Sequence, residues 1–162
     1  MPKNHDESAL LVLRLAEQKA SQVLRKEEIG TECLLMALSE GQDVTGEVLR
    51  TSGLTPERVQ HGFLRLFGEG KFVHSAKRPF SKAAGENLRR AEALAQNHGD
   101  RQISTVHLAI ALFRNDEGPV GKLLEFLDIA KDDVVDDLSQ LKPFAKANNA
   151  VVEQLETAFR AS

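Results

Sequence analysis

The chain of 162 residues contains no tryptophan and no tyrosine, and only one cysteine, Cys33. A single cysteine excludes an intramolecular disulfide and fits a reducing compartment. No apolar run approaches the roughly 20 residues that a membrane-spanning helix needs. Neither sign of charge dominates: 21 Lys and Arg stand against 24 Asp and Glu, for a net charge of −3. That balance gives no general pull toward nucleic acid or an anionic membrane. The first residues, Met1 to Glu7, are polar and carry acids, so they read as neither a secretory signal nor a transit peptide. The expected location is the cytoplasm, or the plastid stroma if the source is a plant or alga. The five histidines, at 5, 61, 74, 98 and 107, show no close ligand spacing. A zinc site would need a second cysteine or a histidine pair, so no metal is expected. Charged residues make up 28% of the chain, an ordinary fraction for a folded domain with a core.

What the sequence does hold is a duplication. Ile29-Gly30-Thr31-Glu32-Cys33-Leu34-Leu35-Met36-Ala37-Leu38 returns as Ile103-Ser104-Thr105-Val106-His107-Leu108-Ala109-Ile110-Ala111-Leu112. Upstream, Ala9, Leu13, Ala16, Glu17 and Ala20 correspond to Ala84, Leu88, Ala91, Glu92 and Ala95. Downstream, Gly46, Leu49 and Val59 correspond to Gly121, Leu124 and Val134. The offset is 75 outside the motif and 74 within it, which puts one extra residue near Arg25 and another near Gly118, both where loops are expected.

Each copy reads as four helices. Leu10, Leu13, Ala16, Ala20 and Val23 recur at helical spacing over Ser8 to Arg25. Thr31 is the expected N-cap of a second helix with Leu34, Leu35 and Leu38 as its buried stripe, closed by Gly41. A third helix carries Val44, Val48 and Leu49 and stops at Gly53. Thr55-Pro56 opens a fourth, with proline at the first helical position and Val59, Phe63, Leu66 and Phe67 as its apolar face, and Gly68 ends it. In the second copy Ser81 caps a helix ending near Gly99, Thr105 caps the next, Gly118-Pro119 precedes the third, and Asp132 or Asp133 begins the fourth. No segment alternates as a half-buried strand would. The expected fold is all-α: a pseudo-twofold tandem of two four-helix repeats over 1–142 (about 8–68 and 79–142, with a linker at 69–78), and a C-terminal helix over 143–162 whose Ala147, Val151, Leu155 and Phe159 form one stripe.

Several constellations invite a chemical reading. Cys33 and His107 occupy equivalent positions, and a Cys/His pair is one form of nucleophilic catalysis. No Asp or Asn is evident to orient the histidine, and a buried thiol with a capping or core imidazole is the alternative. The stretch from Lys71 to Lys82, with Phe72 and Phe80, reads as a nucleic-acid patch or as a solvated loop whose phenylalanines dock on the core. Asp132, Asp133, Asp136 and Asp137 look like a metal cluster, but on a helix they form an acidic first turn and solvent face. Glu32 lies in the first turn of its helix, where a carboxylate complements the helix dipole by a few tenths to about 1 kcal/mol.

The segment Ile29-Gly30-Thr31-Glu32-x-Leu-Leu-x-x-Leu38 resembles the signature of the Clp N-terminal repeat. Pro79-Phe80-Ser81 with Ala84 and Leu88 resembles the opening of that family's second repeat. The likeness covers about Ser8 to Leu141 and implies an eight-helix pseudo-dimer, the domain that binds substrates and adaptors at the front of ClpA, ClpB and ClpC unfoldases. It also implies that Thr31 and Glu32 form a binding site, because the family's glutamate at this point takes the guanidinium of phosphoarginine on marked substrates. A carboxylate suits a guanidinium because two parallel hydrogen bonds can form.

The chain departs from the family pattern at His5, in place of an aromatic residue, and at Cys33, in place of histidine. It departs again at Ser104 and Val106, in place of glycine and glutamate, so the polar motif survives in one half. A P-loop is also missing: Glu47 follows the Gly41 to Gly46 stretch where lysine would be required, and no nucleotide is expected. No catalytic residue and no cofactor are expected. The resemblance implies a non-catalytic protein-binding module of the Clp protease and chaperone system. Its partners would be a Clp unfoldase, the ClpP core, an adaptor or a substrate protein, with neither nucleic acid nor membrane. The start and the extra C-terminal segment suggest a free-standing accessory protein of the ClpT type. The alternatives are an excised N-domain of a ClpC-type unfoldase and, from another class, a small hydrolase-like enzyme using Cys33.

Overall fold

The computed structural model describes residues 4–71, 78–115 and 118–141. They form α1 (Glu7–Lys19), which continues as a π-helical turn over Ala20–Leu24, then α2 (Thr31–Glu40), α3 (Val44–Thr51) and α4 (Pro56–Phe67). The second half follows with α5 (Lys82–Asn97), α6 (Thr105–Asn115), α7 (Pro119–Phe126) and α8 (Lys131–Ser139). Among the described residues there is no strand. The fold is all-α.

Local chemistry sets most of the boundaries. Asp6 Oδ1 accepts from the Ala9 amide, Asp43 Oδ1 from Gly46, Thr55 Oγ1 from Arg58 and Ser81 Oγ from Ala84, so four helices begin with a side-chain cap. Pro56 and Pro119 occupy first-turn positions, where a missing amide hydrogen costs nothing. Gly68 closes α4 at φ +74° and ψ 175°, an extended positive-φ conformation that only glycine adopts readily, with nothing near its absent side chain. At the end of α2, Arg50 donates to the Ser39 and Gly41 carbonyls at 2.8 and 2.7 Å, a cation placed on orphan C-terminal acceptors.

Helices α2 and α6 form the centre. In α2 only Glu32 and Glu40 escape burial, and in α6 everything from Thr105 to Phe113 is buried. A helix apolar on nearly all sides must be surrounded, and here α1, α3 and α4 wrap α2 while α5, α7 and α8 wrap α6. The halves meet along α2 and α6, with α4 against α7 and α3 against α8. Under the 75-residue shift the last two pairs exchange, as a twofold relation requires.

The same symmetry governs two isolated backbone bridges. His5 pairs with Ile103, and Ile29 pairs with Phe80. Asp6 N donates to Ile103 O at 2.9 Å and Ile103 N to Asn4 O at 2.6 Å. Their counterparts are Ser81 N to Ile29 O at 2.9 Å and Ile29 N to Pro79 O at 2.8 Å. The segment that opens each repeat is thus bonded to the loop before the central helix of the other.

Several expectations need correction. Gly30, extended at φ −92° and ψ 178°, is the N-cap of α2, and Thr31 is its first helical residue. Thr105 likewise lies inside α6. Its hydroxyl donates to Asp43 Oδ2 at 2.7 Å and shares a second hydrogen bond with Thr45 Oγ1 at 2.8 Å. Helix α8 begins at Lys131, with Ala130 in the cap position. The extra residue of the first copy is absorbed in the π turn rather than a loop: an inserted residue widens one helical turn, and the chain then exits through Arg25 at φ +53°. Val44, Leu66 and Phe67 are exposed, so only part of each apolar pattern faces the core. The predicted C-terminal helix, with Phe72, His74 and Lys77 of the linker, lies outside the described residues.

Candidate functional site

The π turn, the loop after it and the end of α4 enclose an open groove of about 520 Å³. Phe67, 41% exposed, supplies apolar surface, with buried Leu24 and Phe63 behind it. Lys26, Glu27, Glu28 and Glu32 line the same space, three carboxylates against one ammonium. Ser81, Ala83 and Pro119 close it from the second repeat. The groove therefore lies between the two halves on an acidic, partly apolar wall.

Its walls are tied down by backbone contacts. Gly70 N donates to Leu24 O at 2.7 Å, and a side chain at Gly70 would collide with the Arg25 carbonyl. Arg25 reaches Glu69 at 3.3 Å across the same join. Buried Arg78 donates from Nε to the Lys26 carbonyl at 2.6 Å, so this linker cation is committed inside the structure rather than to a surface patch. Phe80 packs against the core, and its bridge to Ile29 sets Ser81 at the groove. Among the residues expected to bind a ligand, Thr31 is buried at the start of α2, and half-buried Glu32 follows it with its carboxylate turned back over Gly30. Both line the groove.

The equivalent place in the second half has a different character. Val106, at the position of Glu32, is 1% exposed. His107 Nδ1 accepts the Ser104 amide hydrogen at 2.9 Å, with Ser104 Oγ also at 2.9 Å, and Nε2 lies 3.2 Å from Asp100 Oδ2. These contacts assign the proton to Nε2. Burial pulls the His107 pKa down, against the opposing pull of the Asp100 carboxylate, and favours the neutral ring. The imidazole closes a capping box on α6, bonding back to the amide of the residue before the helix. Asp100 is the orienting acid that sequence reading did not find; it sits seven residues before His107, across the turn that enters α6.

Cys33 takes the corresponding place in α2. It is fully buried, and burial pushes its thiol up to about 12 despite a backbone hydrogen bond at Gly30. A thiol so buried is poorly placed to act as a nucleophile, which counts against the Cys33 enzyme reading. Asp133 and Asp137 line a second, smaller hollow of about 300 Å³ with Asp128 and Ser52. Among the described residues no group of three or more His, Cys, Asp or Glu side chains is placed to hold a metal ion. No helix there is long and apolar enough to cross a membrane.

Comparison with known proteins accords with this geometry. The family described as the Clp repeat (R) N-terminal domain matches residues 4–127. Chloroplastic chaperone protein ClpC of Pisum sativum is 29% identical over 122 residues, 75% of this chain and 13% of that protein. A ClpA homolog described as an ATP-binding subunit of the ATP-dependent Clp protease, from Guillardia theta, is 30% identical over 128 residues, 77% of this chain and 16% of that protein. The chain thus spans about one seventh of the length of the curated relatives it matches.

Among solved structures, the N-terminal domain of ClpD from Arabidopsis thaliana superposes with a TM-score of 0.72 at 21% identity, covering 85% of this chain and 94% of that one. The Hsp104 N-terminal domain from Candida albicans gives 0.71 at 14% identity, covering 88% and 93%. A ClpV N-domain in complex with a VipB peptide gives 0.62 at 16% identity, covering 85% and 86%. The duplicated helical plan, the exchanged bridges and the match over residues 4–127 lead to one conclusion: this chain belongs to the Clp repeat N-terminal domain family.

Proposed function

We propose that the chain is a non-catalytic protein-binding module of the Clp protease and chaperone system, and that the groove beside Glu32 receives its partner. The observation that carries this reading is the convergence of Glu32 with Leu24, Phe63 and Phe67 on one open cavity. The carboxylate offers two acceptors to a guanidinium, while the apolar wall covers a neighbouring side chain. The occupant is a segment of a substrate or adaptor presenting arginine or phosphoarginine. The ClpV N-domain solved with a VipB peptide supports peptide recognition as a use of this fold.

Two settings fit the module: the front of a ClpC-type unfoldase, supported by the N-terminal likeness to long relatives, or a free-standing accessory subunit beside an unfoldase or the ClpP core. The chloroplastic relatives support the plastid stroma as its place in a plant or alga. Titration with phosphoarginine and with a short arginine-bearing peptide tests the site. Binding of at least one should saturate below the millimolar range, and Glu32→Gln should weaken it tenfold or more, the loss expected when a charged hydrogen-bond acceptor is neutralised. Absence of binding to either ligand at millimolar concentration would sink the proposal.

A further inference from the structure

We propose that Gly30 is the positioning residue for Glu32, and that the Gly30/Glu32 pair against Ser104/Val106 confines guanidinium capture to the first repeat. The inference rests on the reading of the groove given above and adds what makes its acceptor available.

Glycine at this position is not required by the backbone. Gly30 is extended at φ −92°, a conformation open to any residue. What it supplies is space. A Cβ built on Gly30 would fall on Glu32 Oε1, with Glu32 Cδ only 2.9 Å away. The carboxylate therefore occupies the volume a side chain at residue 30 would take, beside the N-terminal amides of α2 and on the groove wall. Because the clash is with the far end of a flexible side chain, a Cβ at residue 30 displaces the carboxylate and leaves the helix intact.

The second repeat carries the opposite choice at both positions. Ser104 has a side chain, so its Cβ takes the volume that the Glu32 carboxylate fills at Gly30, and its Oγ lies 2.9 Å from His107 Nδ1. Val106, two residues on, is buried and has no acceptor. The approach is latched as well. Asp43, whose counterpart in the other half is Gly118, accepts from Thr105 Oγ1 while capping α3. Glycine has no side chain with which to make that link at the first repeat. The pair therefore decides both the geometry of the acceptor and the number of sites per chain.

The test uses the whole chain and a fluorescently labelled peptide with one central arginine flanked by leucines. Wild type, Gly30→Ala, Glu32→Gln and the double variant are titrated, with thermal unfolding of each. One peptide should bind per chain. Gly30→Ala should weaken binding about tenfold or more, with the unfolding midpoint moved by no more than a few degrees, and Gly30→Ser, which installs the residue of the second repeat, should do the same. In the Glu32→Gln background, Gly30→Ala should have no further effect, because the group it displaces no longer carries the charge. Wild-type binding lost in Glu32→Gln but unchanged in Gly30→Ala would overturn this inference and leave the groove reading standing. So would additive losses in the double variant, or two peptides per chain. Failure of the wild type to bind either this peptide or its phosphoarginine form would overturn both.

Discussion

Phe113→Ala is expected to lower the unfolding free energy by about 3–5 kcal/mol, the range for deleting a large aromatic side chain from a packed core. Phe113 is fully buried at the end of α6, the helix enclosed on all sides by α5, α7, α8 and the opposite repeat. Removing its ring leaves a cavity that rigid neighbours on several elements cannot collapse to fill. The same chemical deletion at Phe126, which is 48% exposed on α7, should cost no more than about 1 kcal/mol. Urea denaturation of both variants measures the difference as a shift of midpoint at constant slope. Equal shifts at the two positions would contradict the placement of α6 at the centre. A loss of the predicted size is a large share of the 5–15 kcal/mol that holds a domain of this kind together.

Alkaline destabilisation through Cys33 should be of similar size. The thiol ionises near 9.0 when solvated and is pushed to about 12 in the folded chain, chiefly by burial. Between those values the folded state holds a proton that the unfolded state has released, so stability falls as pH rises. The contribution is fully present below pH 9 and lost through pH 12. The two pH units from 9 to 11 correspond to about 3 kcal/mol. Unfolding free energies of wild type and Cys33→Ala, compared from pH 8 to 11, isolate this effect from the titration of lysines, and only the wild type should carry the extra slope. A thiol-reactive disulfide reagent at pH 7 should label Cys33 no faster than the chain unfolds. Rapid labelling of the native protein would show an accessible thiol and reopen the reading of Cys33 as a nucleophile.

Features of the fold written in local chemistry were legible in the sequence. Thr55-Pro56, Ser81 and Gly68 mark helix ends because capping depends on a few adjacent atoms. The duplicated motif disclosed the symmetry. Less legible were features that depend on distant partners. Val44, Leu66 and Phe67 fit an apolar face by spacing, yet burial is decided by which neighbour arrives, and for these residues none covers them fully. The bridge from His5 to Ile103 follows from a segment crossing to the other repeat.

The one-residue change in offset showed where an insertion lies. That a π turn takes it up, setting Leu24 into the groove wall, emerges only from the helix geometry. At the candidate site the sequence singled out Thr31 and Glu32. The residues joining Glu32 around the cavity, Leu24, Phe63, Phe67 and Pro119, come from three other elements. Of the aromatic pair, Phe63 is core, whereas Phe67 is 41% exposed and reaches solvent at a ring separation of 6.4 Å from it.

On the proposed function, one groove, on the first repeat and shared with the start of the second, receives an arginine-bearing segment. Mapping amide chemical shifts of the isotopically labelled chain during titration with the central-arginine peptide tests it most directly. Shifts should concentrate at Leu24, Lys26 to Glu32, Phe63, Phe67, Gly68 and Ala83, with Thr45 and Ser104 to His107 quiet. Shifts centred on Ser104 to His107, or spread equally over the two halves, would contradict it.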